Sequence, residues 1–230
     1  MTAVVLPVYN EAATIGMVLD SVRQYFDDDV IVIDDGSEDG TSMLLTARSD
    51  VNVVRLDHNC GYGCALRIGF DLARDMGHGK IVTMDCDGQH EPHHIPEFLA
   101  ALDGDVDIVS GSRYLPSSGG VGAVPPGRRE INERITRVVN EATGFRLTDS
   151  FCGFKAYRGS ALAQLKLSEP GYAMPLELWA QAWKAGLRIS ELPVERIYCD
   201  HDRSFGHELD DEARRYAYYE SVWNRALGEA

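Results

Sequence analysis

The 230-residue sequence predicts an α/β protein: a mostly parallel sheet with helices on both faces, followed by a C-terminal amphipathic helix. Three observations carry that class. Short apolar runs alternate with segments of helical period through the first 110 residues. The connections between them are short. The runs are continuously apolar instead of alternating with polar residues, as strands buried on both faces are.

Taken in order, Ala3 to Val8 is an apolar run containing a proline, read as the first strand, and Asn10 is placed to cap the helix after it. Ile15, Val18, Leu19, Val22 and Phe26 recur at helical spacing. Val30 to Ile33 reads as a second strand, Thr41 to Arg48 as a short helix, and Val51 to Leu56 as a third strand. Gly61 to Met76 reads as loop then helix, with Ala65 and Gly69 letting it pack closely on the sheet. Lys80 to Met84 is a fourth strand, His93 to Leu102 a helix, and Asp107 to Ser110 a fifth strand. An uncharged stretch follows at 115–127, rich in small and turn-forming residues, of the kind that serves function or motion. Beyond it come a helix (Arg129 to Thr143), a strand near Gly153 to Tyr157, a helix near Leu176 to Ala185, and an extended segment at 188–198 interrupted by Pro193. The helix from Asp210 to Leu227 has Tyr216, Tyr219 and Trp223 as its expected buried stripe. The expected organisation is one domain over 1–206, in halves 1–110 and 111–206, with 207–230 a helical extension packed on it.

Charge limits the function. The chain has 36 acids, 22 bases and a net charge of -14, the wrong sign for tracking nucleic acid. The imbalance is local. Residues 1–110 hold 20 acids and 6 bases, whereas 111–158 hold 4 acids and 8 bases, the one basic stretch. No apolar run approaches a membrane span, and the N-terminus lacks the pattern of a signal peptide. The five cysteines are widely spaced and odd in number, as expected of reduced thiols in a cytoplasmic protein.

Three strand ends carry acids, and in a parallel sheet they open on one edge, where ligands bind. Asp85-Cys86-Asp87-Gly88-Gln89 follows the fourth strand. Residues two apart face one way, so two carboxylates and an amide oxygen suit Mg²⁺ or Mn²⁺ against a diphosphate, or else form a polar turn. Asp34-Asp35-Gly36-Ser37 follows the second strand, either as a turn or as an acceptor for a base or ribose. Leu6-Pro7-Val8-Tyr9-Asn10-Glu11 is either a strand-to-helix junction or one wall of a nucleoside site.

LPVYNE, DDGS, DCDGQHEP, GSRY and DSFCGFKAYR, in this order and spacing, resemble family 2 glycosyltransferases, and within them the dolichol-phosphate mannose synthase-like branch, over roughly residues 3 to 206. The resemblance implies a GT-A (Rossmann-like) fold, a GDP- or UDP-sugar donor, Mg²⁺ or Mn²⁺, and inversion at the anomeric carbon. It places Pro7, Tyr9 and Glu11 around the nucleoside, Asp35 on the base, and Asp85, Asp87 and Gln89 on the metal and diphosphate. Arg113 and Arg128 would meet the acceptor phosphate, with Asp149 and Glu177 as further acids and Arg203 and Ser204 closing over the diphosphate. Tyr62 stands where the family often has a lysine, and Asn132 where a serine is usual. The acceptor expected is a polyprenyl phosphate, met peripherally at the cytoplasmic membrane face, with a homodimer left open. The alternatives are a soluble hydroxyl acceptor, for which Asp149 is the candidate base, or a non-catalytic nucleotide-binding module.

One pattern is set aside. His90-Glu91-Pro92-His93-His94 matches the zinc protease signature, which needs both outer histidines on one continuous helix. Pro92 breaks that helix, leaving His90 to border the metal site and His93 and His94 solvated in a first turn.

Overall fold

Strand β1 (Thr2–Val8) is flanked by parallel β2 (Asp29–Asp34) and β4 (Lys80–Thr83), with β3 (Asn52–Arg55) at the edge beyond β2. The computed structural model describes residues 1–121, 127–197 and 209–228. Helices α1 (Ile15–Tyr25), α2 (Thr41–Thr46) and α3 (Tyr62–Asp75) make the crossovers. A 3₁₀ turn (Pro92–His94) leads into α4 (Ile95–Ala101), then β5 (Ile108–Ser112) and the short β6 (Gly120–Val121). The second half adds α5 (Arg128–Thr143), β7 (Lys155–Arg158), α6 (Gly159–Leu162), α7 (Met174–Lys184), β8 (Ile189–Pro193), β9 (Arg196–Ile197) and α8 (Glu212–Leu227). The sheet order is β3-β2-β1-β4-β7-β5-β8, and β6 pairs with β9 separately.

Within the strands, alternate residues serve opposite faces. Ala3, Val5, Ile31 and Ile33 join one core with residues of α3, α5, α7 and α8. Val4, Leu6, Val8, Val30 and Val32 join the other with Ile15, Val18 and Leu19 of α1 and Ile95 and Phe98 of α4. The continuous apolar runs are therefore filled from both sides. A Cβ on Gly69 would overlap Val5, so glycine there sets how closely α3 lies on β1, as expected.

Strand β7 matters most for the site. It runs antiparallel to both β4 and β5, with Lys155 opposite Thr83 and Ser110. Its beginning therefore lies at the edge where β4 and β5 end. The 149–155 segment reaches that edge by entering a strand, where residues 85–89 reach it by leaving one.

Several sequence expectations need correction. Asn10 does not cap α1. It sits at φ 56°, its side chain accepts from Glu38 N at 2.9 Å, and α1 starts five residues later behind Thr14. The helix expected from His93 is a 3₁₀ turn followed by α4, because Pro92 and Pro96 each remove an amide donor. His94 is not solvated, since Glu195 holds it at 2.6 Å, whereas His93 is exposed. In α8, Tyr219 and Trp223 are buried, but Tyr216 is half-buried beneath the Arg134 guanidinium, 3.8 Å above its ring. Helix α8 lies along α7 and α5, and Lys184 Nζ donates to Ala226 O at 2.8 Å. Cys60, Cys64, Cys86 and Cys152 are free thiols. Arg203, Ser204 and Cys199 lie outside the described residues. Among the described residues, no helix is long and apolar enough to cross a membrane.

Candidate active site

At the end of β1, Pro7 is buried in the strand opposite Ile33, and Tyr9 is the first exposed side chain. Glu11 turns inward. Its amide donates to Thr41 Oγ1 at 2.8 Å and its carboxylate accepts from Thr14 Oγ1 at 2.9 Å. At the end of β2, buried Asp35 accepts from Cys60 N at 2.7 Å and Gly61 N at 2.9 Å. It thereby shapes the turn into α3, where Gly61 takes φ 101°. Each carboxylate oxygen has two lone pairs, so these bonds leave Asp35 acceptor capacity.

At the end of β4, Asp85 is held from three sides. Tyr62 OH donates to Oδ1 at 3.1 Å, and His90 Nε2 lies 3.1 Å from Oδ2. Because a carboxylate only accepts, Nε2 is the nitrogen that carries the proton here. The third side is Gly153, where a Cβ would overlap both Asp85 oxygens. Burial pushes the Asp85 carboxyl up, but the bonds from His90 and Tyr62, with His90 and Lys155 charge nearby, bring it below its ordinary value. Asp87 Oδ1 accepts from Gln89 N at 2.9 Å, so this carboxylate closes the turn that presents Gln89. Tyr62 also stacks on Tyr172, with ring centroids 5.7 Å apart.

Across β7 lies the basic half. Arg113, at the end of β5, makes a two-pronged ion pair with Asp149, at 2.7 Å from Nε and 2.9 Å from Nη2. Asp149 is fully buried and also accepts from Asn132 Nδ2 at 2.7 Å and Phe151 N at 3.2 Å. Burial raises the Asp149 carboxyl, but the Arg113 charge and hydrogen bonds and the Asn132 amide outweigh it and hold the pKa at about 2. Glu191 carries the turn by accepting from Thr148 N and Asp149 N. Arg113 and Arg129 sit 5.8 and 5.5 Å from the Tyr114 ring centre, and Arg128 opens α5. Lys155, also buried, bonds to Cys152 O and lies 5.4 Å from the Trp179 ring. Burial lowers its pKa, against the pull of Cys152, Asp149 and Asp85.

The expected residues thus fall into two neighbouring groups joined by β7. Pro7, Tyr9, Glu11, Asp35, Asp85, Asp87 and Gln89 stand at the ends of β1, β2 and β4, and Asp149, Arg113 and Arg128 gather where β5 ends and α5 begins. Glu177 belongs to neither, since its carboxylate accepts from Ser168 N and Glu169 N and holds the loop before α7.

Residues 3–166 match the model of the family described as Glycosyl transferase family 2. The chain belongs to that family. Among curated relatives of this glycosyl transferase family 2 chain, it is 31% identical to the polyprenol monophosphomannose synthase of Mycolicibacterium smegmatis, over 84% of this chain and 76% of that one. It is also 31% identical to the undecaprenyl-phosphate mannosyltransferase of Micrococcus luteus, over 83% and 81%. In fold it resembles glucosyl-3-phosphoglycerate synthase from Mycobacterium tuberculosis, solved with Mn²⁺, UDP and glucosyl-3-phosphoglycerate. The TM-score is 0.75 at 22% identity, covering 100% of this chain and 81% of that one. The fold is the expected GT-A arrangement.

The donor set of the family 2 site suits a hard divalent cation. Asp85, Asp87 and Gln89 offer two carboxylates and an amide oxygen, the hard donors such an ion takes, and Gly153 leaves the room in which Asp85 sits. Sequence reasoning missed the supporting residues. Tyr62 and Asn132 were noted only as departures from the family, yet each bonds one of the key acids. Gly153 and Lys155 were quoted within a motif without a role. The available signal was a lysine opening a short strand two residues after a glycine.

Proposed function

We propose that this family 2 glycosyltransferase moves a sugar, with inversion, from a GDP- or UDP-sugar to a polyprenyl phosphate. The observation that supports this reading is the meeting, across β7, of the acid-bearing edge with the Arg113–Asp149 pair. The relatives named above, which act on polyprenyl phosphates by their names, support the acceptor class. The basic 111–158 stretch supports an anionic acceptor.

Pro7, Tyr9 and Glu11 form the nucleoside side, and Asp35 accepts from the base. Asp85, Asp87 and Gln89 would hold Mg²⁺ or Mn²⁺, which would supply positive charge against the leaving nucleotide diphosphate. The resemblance adds Arg203 and Ser204, outside the described residues, as further diphosphate contacts. Arg113, its plane fixed by the fork to Asp149, and Arg128 orient the acceptor phosphate. A phosphate oxygen attacks the anomeric carbon from the face opposite the diphosphate, and the bond to the β-phosphate oxygen breaks. The acceptor is already ionised, so no general base is required. Both Asp149 oxygens are committed and its pKa is about 2, which argues against Asp149 as the base a hydroxyl acceptor would need. The acceptor class puts the reaction at the cytoplasmic face of a membrane, with the protein held peripherally.

The test is transfer from radiolabelled GDP-mannose, UDP-glucose and UDP-N-acetylglucosamine to a short-chain polyprenyl phosphate with Mn²⁺. Asp87→Ala is expected to abolish transfer with an unchanged circular dichroism spectrum. Normal turnover by that variant, or by wild-type protein in excess chelator, would overturn the metal assignment. Transfer to soluble hydroxyl compounds but not to polyprenyl phosphate would overturn the acceptor.

A further inference from the structure

The histidines of the set-aside protease pattern go to two different places. His90 serves Asp85. His93 and His94 turn to one side together, their ring centroids 4.1 Å apart and tilted by 35°. Glu195, from the connection between β8 and β9, reaches both. Its Oε2 lies 2.6 Å from His94 Nε2 and its Oε1 lies 4.0 Å from His93 Nε2. Among the described residues, these three bring their potential ligand atoms within 4.8 Å of one another.

A second carboxylate stands behind each ring. Glu97 Oε2 is 3.3 Å from His94 Nδ1, and Glu91 Oε2 is 3.7 Å from His93 Nδ1. Metal-bound histidines characteristically donate their other N–H to such a partner, which fixes the tautomer and aims the free lone pair at the ion. Here that arrangement aims Nε2 of both rings towards Glu195. The His94 ring is also braced by the edge of Phe154, 6.4 Å away between centroids. His94 is 12% exposed and anchored, while His93 at 43% and Glu195 at 38% leave a path for an ion to enter.

We propose that His93, His94 and Glu195 form a second cation site, selective for zinc-class ions (Zn²⁺, Co²⁺, Ni²⁺) and distinct from the oxygen-donor site at Asp85 and Asp87. Two imidazoles and one carboxylate suit those ions, whereas all-oxygen sets suit Mg²⁺ and Mn²⁺. Tetrahedral zinc with ligand bonds near 2.0–2.1 Å places its ligand atoms about 3.3 Å apart, so spacings that all lie within 4.8 Å need to change by roughly 1.5 Å or less. The ion replaces the proton shared between His94 and Glu195, which leaves to solvent, and water completes the coordination. Three carboxylates around the two imidazoles favour the incoming charge. The bound ion ties the turn before α4 to the connection between β8 and β9.

The test uses the full chain carrying Asp87→Asn, Cys60→Ser and Cys64→Ser, which removes the competing carboxylate and thiols among the described residues. Zn²⁺ alone, titrated by calorimetry in metal-free buffer, should bind one equivalent. At a hundredfold excess over Kd it should raise Tm by roughly 5–10 °C. Adding Glu195→Gln or His93→Gln should each weaken binding at least tenfold while circular dichroism stays unchanged. Co²⁺ should give a visible d–d band that Glu195→Gln removes. No stoichiometric Zn²⁺ binding in the starting protein, or equal binding in both further variants, would overturn the site. Neither readout involves a sugar donor or acceptor, so the result is independent of the proposed transfer reaction.

Discussion

Replacing Asp149 by asparagine separates a positioning role from a basic one. The substitution keeps the shape and removes the charge that Arg113 grips with Nε and Nη2. The folded carboxyl is held at about 2 against an ordinary 3.8. At about 1.4 kcal/mol per unit, that depression contributes about 2 kcal/mol at neutral pH. Breaking one side of a buried ion pair costs about 3–5 kcal/mol when the other charge is stranded. Arg113 keeps 18% of its side chain in solvent, so the lower figure governs. For a chain of this size a loss of about 2–3 kcal/mol lowers Tm by roughly 4–12 °C. The sign with pH follows from the depressed pKa. The contribution is complete above the unfolded value of 3.8 and is lost as pH falls through 2, so about half of it is gone by pH 3. Urea unfolding of wild type and Asp149→Asn from pH 6 to pH 3 should show a gap that narrows on acidification. Transfer assays should show a raised acceptor KM. An unchanged urea midpoint at pH 6, or a gap that stays constant to pH 3, would refute the reasoning. A fall in kcat alone, with stability intact, would restore Asp149 as a base.

Three further substitutions test the scaffold around the acids. Gly153→Ala puts a methyl group into the space of the Asp85 carboxylate, so Mn²⁺-dependent donor binding should fall at least tenfold in a fluorescence titration with a Mn²⁺–nucleotide diphosphate complex. Tyr62→Phe removes one hydrogen bond to a carboxylate, worth about 1.5–3 kcal/mol, and should raise the Mn²⁺ concentration needed for half-maximal transfer while lowering Tm by roughly 3–12 °C. Gly69→Ala forces α3 away from Val5 and should cost about 1–3 kcal/mol in urea unfolding, whereas transfer per folded molecule should change little.

How much was legible in the sequence varied with the physics involved. Parallel strands buried on both faces announce themselves, because Val4, Val5, Ile31 and Val32 must all be apolar; β1, β2 and β4 were read within one or two residues. The acids at their ends could be read for the same reason, since they follow the last buried position. The two-residue β6 and β9 and the four-residue α6 carry too few residues for any period to show. The direction of β7 was hidden because hydrophobicity does not record which way a strand runs. The partners Tyr62–Asp85 and Asn132–Asp149 were also hidden, being 23 and 17 positions apart and joined only by the fold. His94 was misjudged because its partner, Glu195, lies 101 positions along the chain.

The reversed strand makes β7 the gauge between donor and acceptor. Thr83 faces Lys155 in the ladder, and Thr83 Oγ1 donates to Gly153 O at 2.9 Å. Hydrogen-bond register, which shifts only in whole residues, therefore sets the span from the carboxylates after β4 to the guanidinium after β5. Slipping β7 by one residue would send Lys155 to the opposite face and withdraw Gly153 from Asp85. Segments that leave this edge, such as residues 115–121, can change length or sequence without altering that span. A grafting experiment seeking a new acceptor has its freedom there, and none between residues 149 and 155.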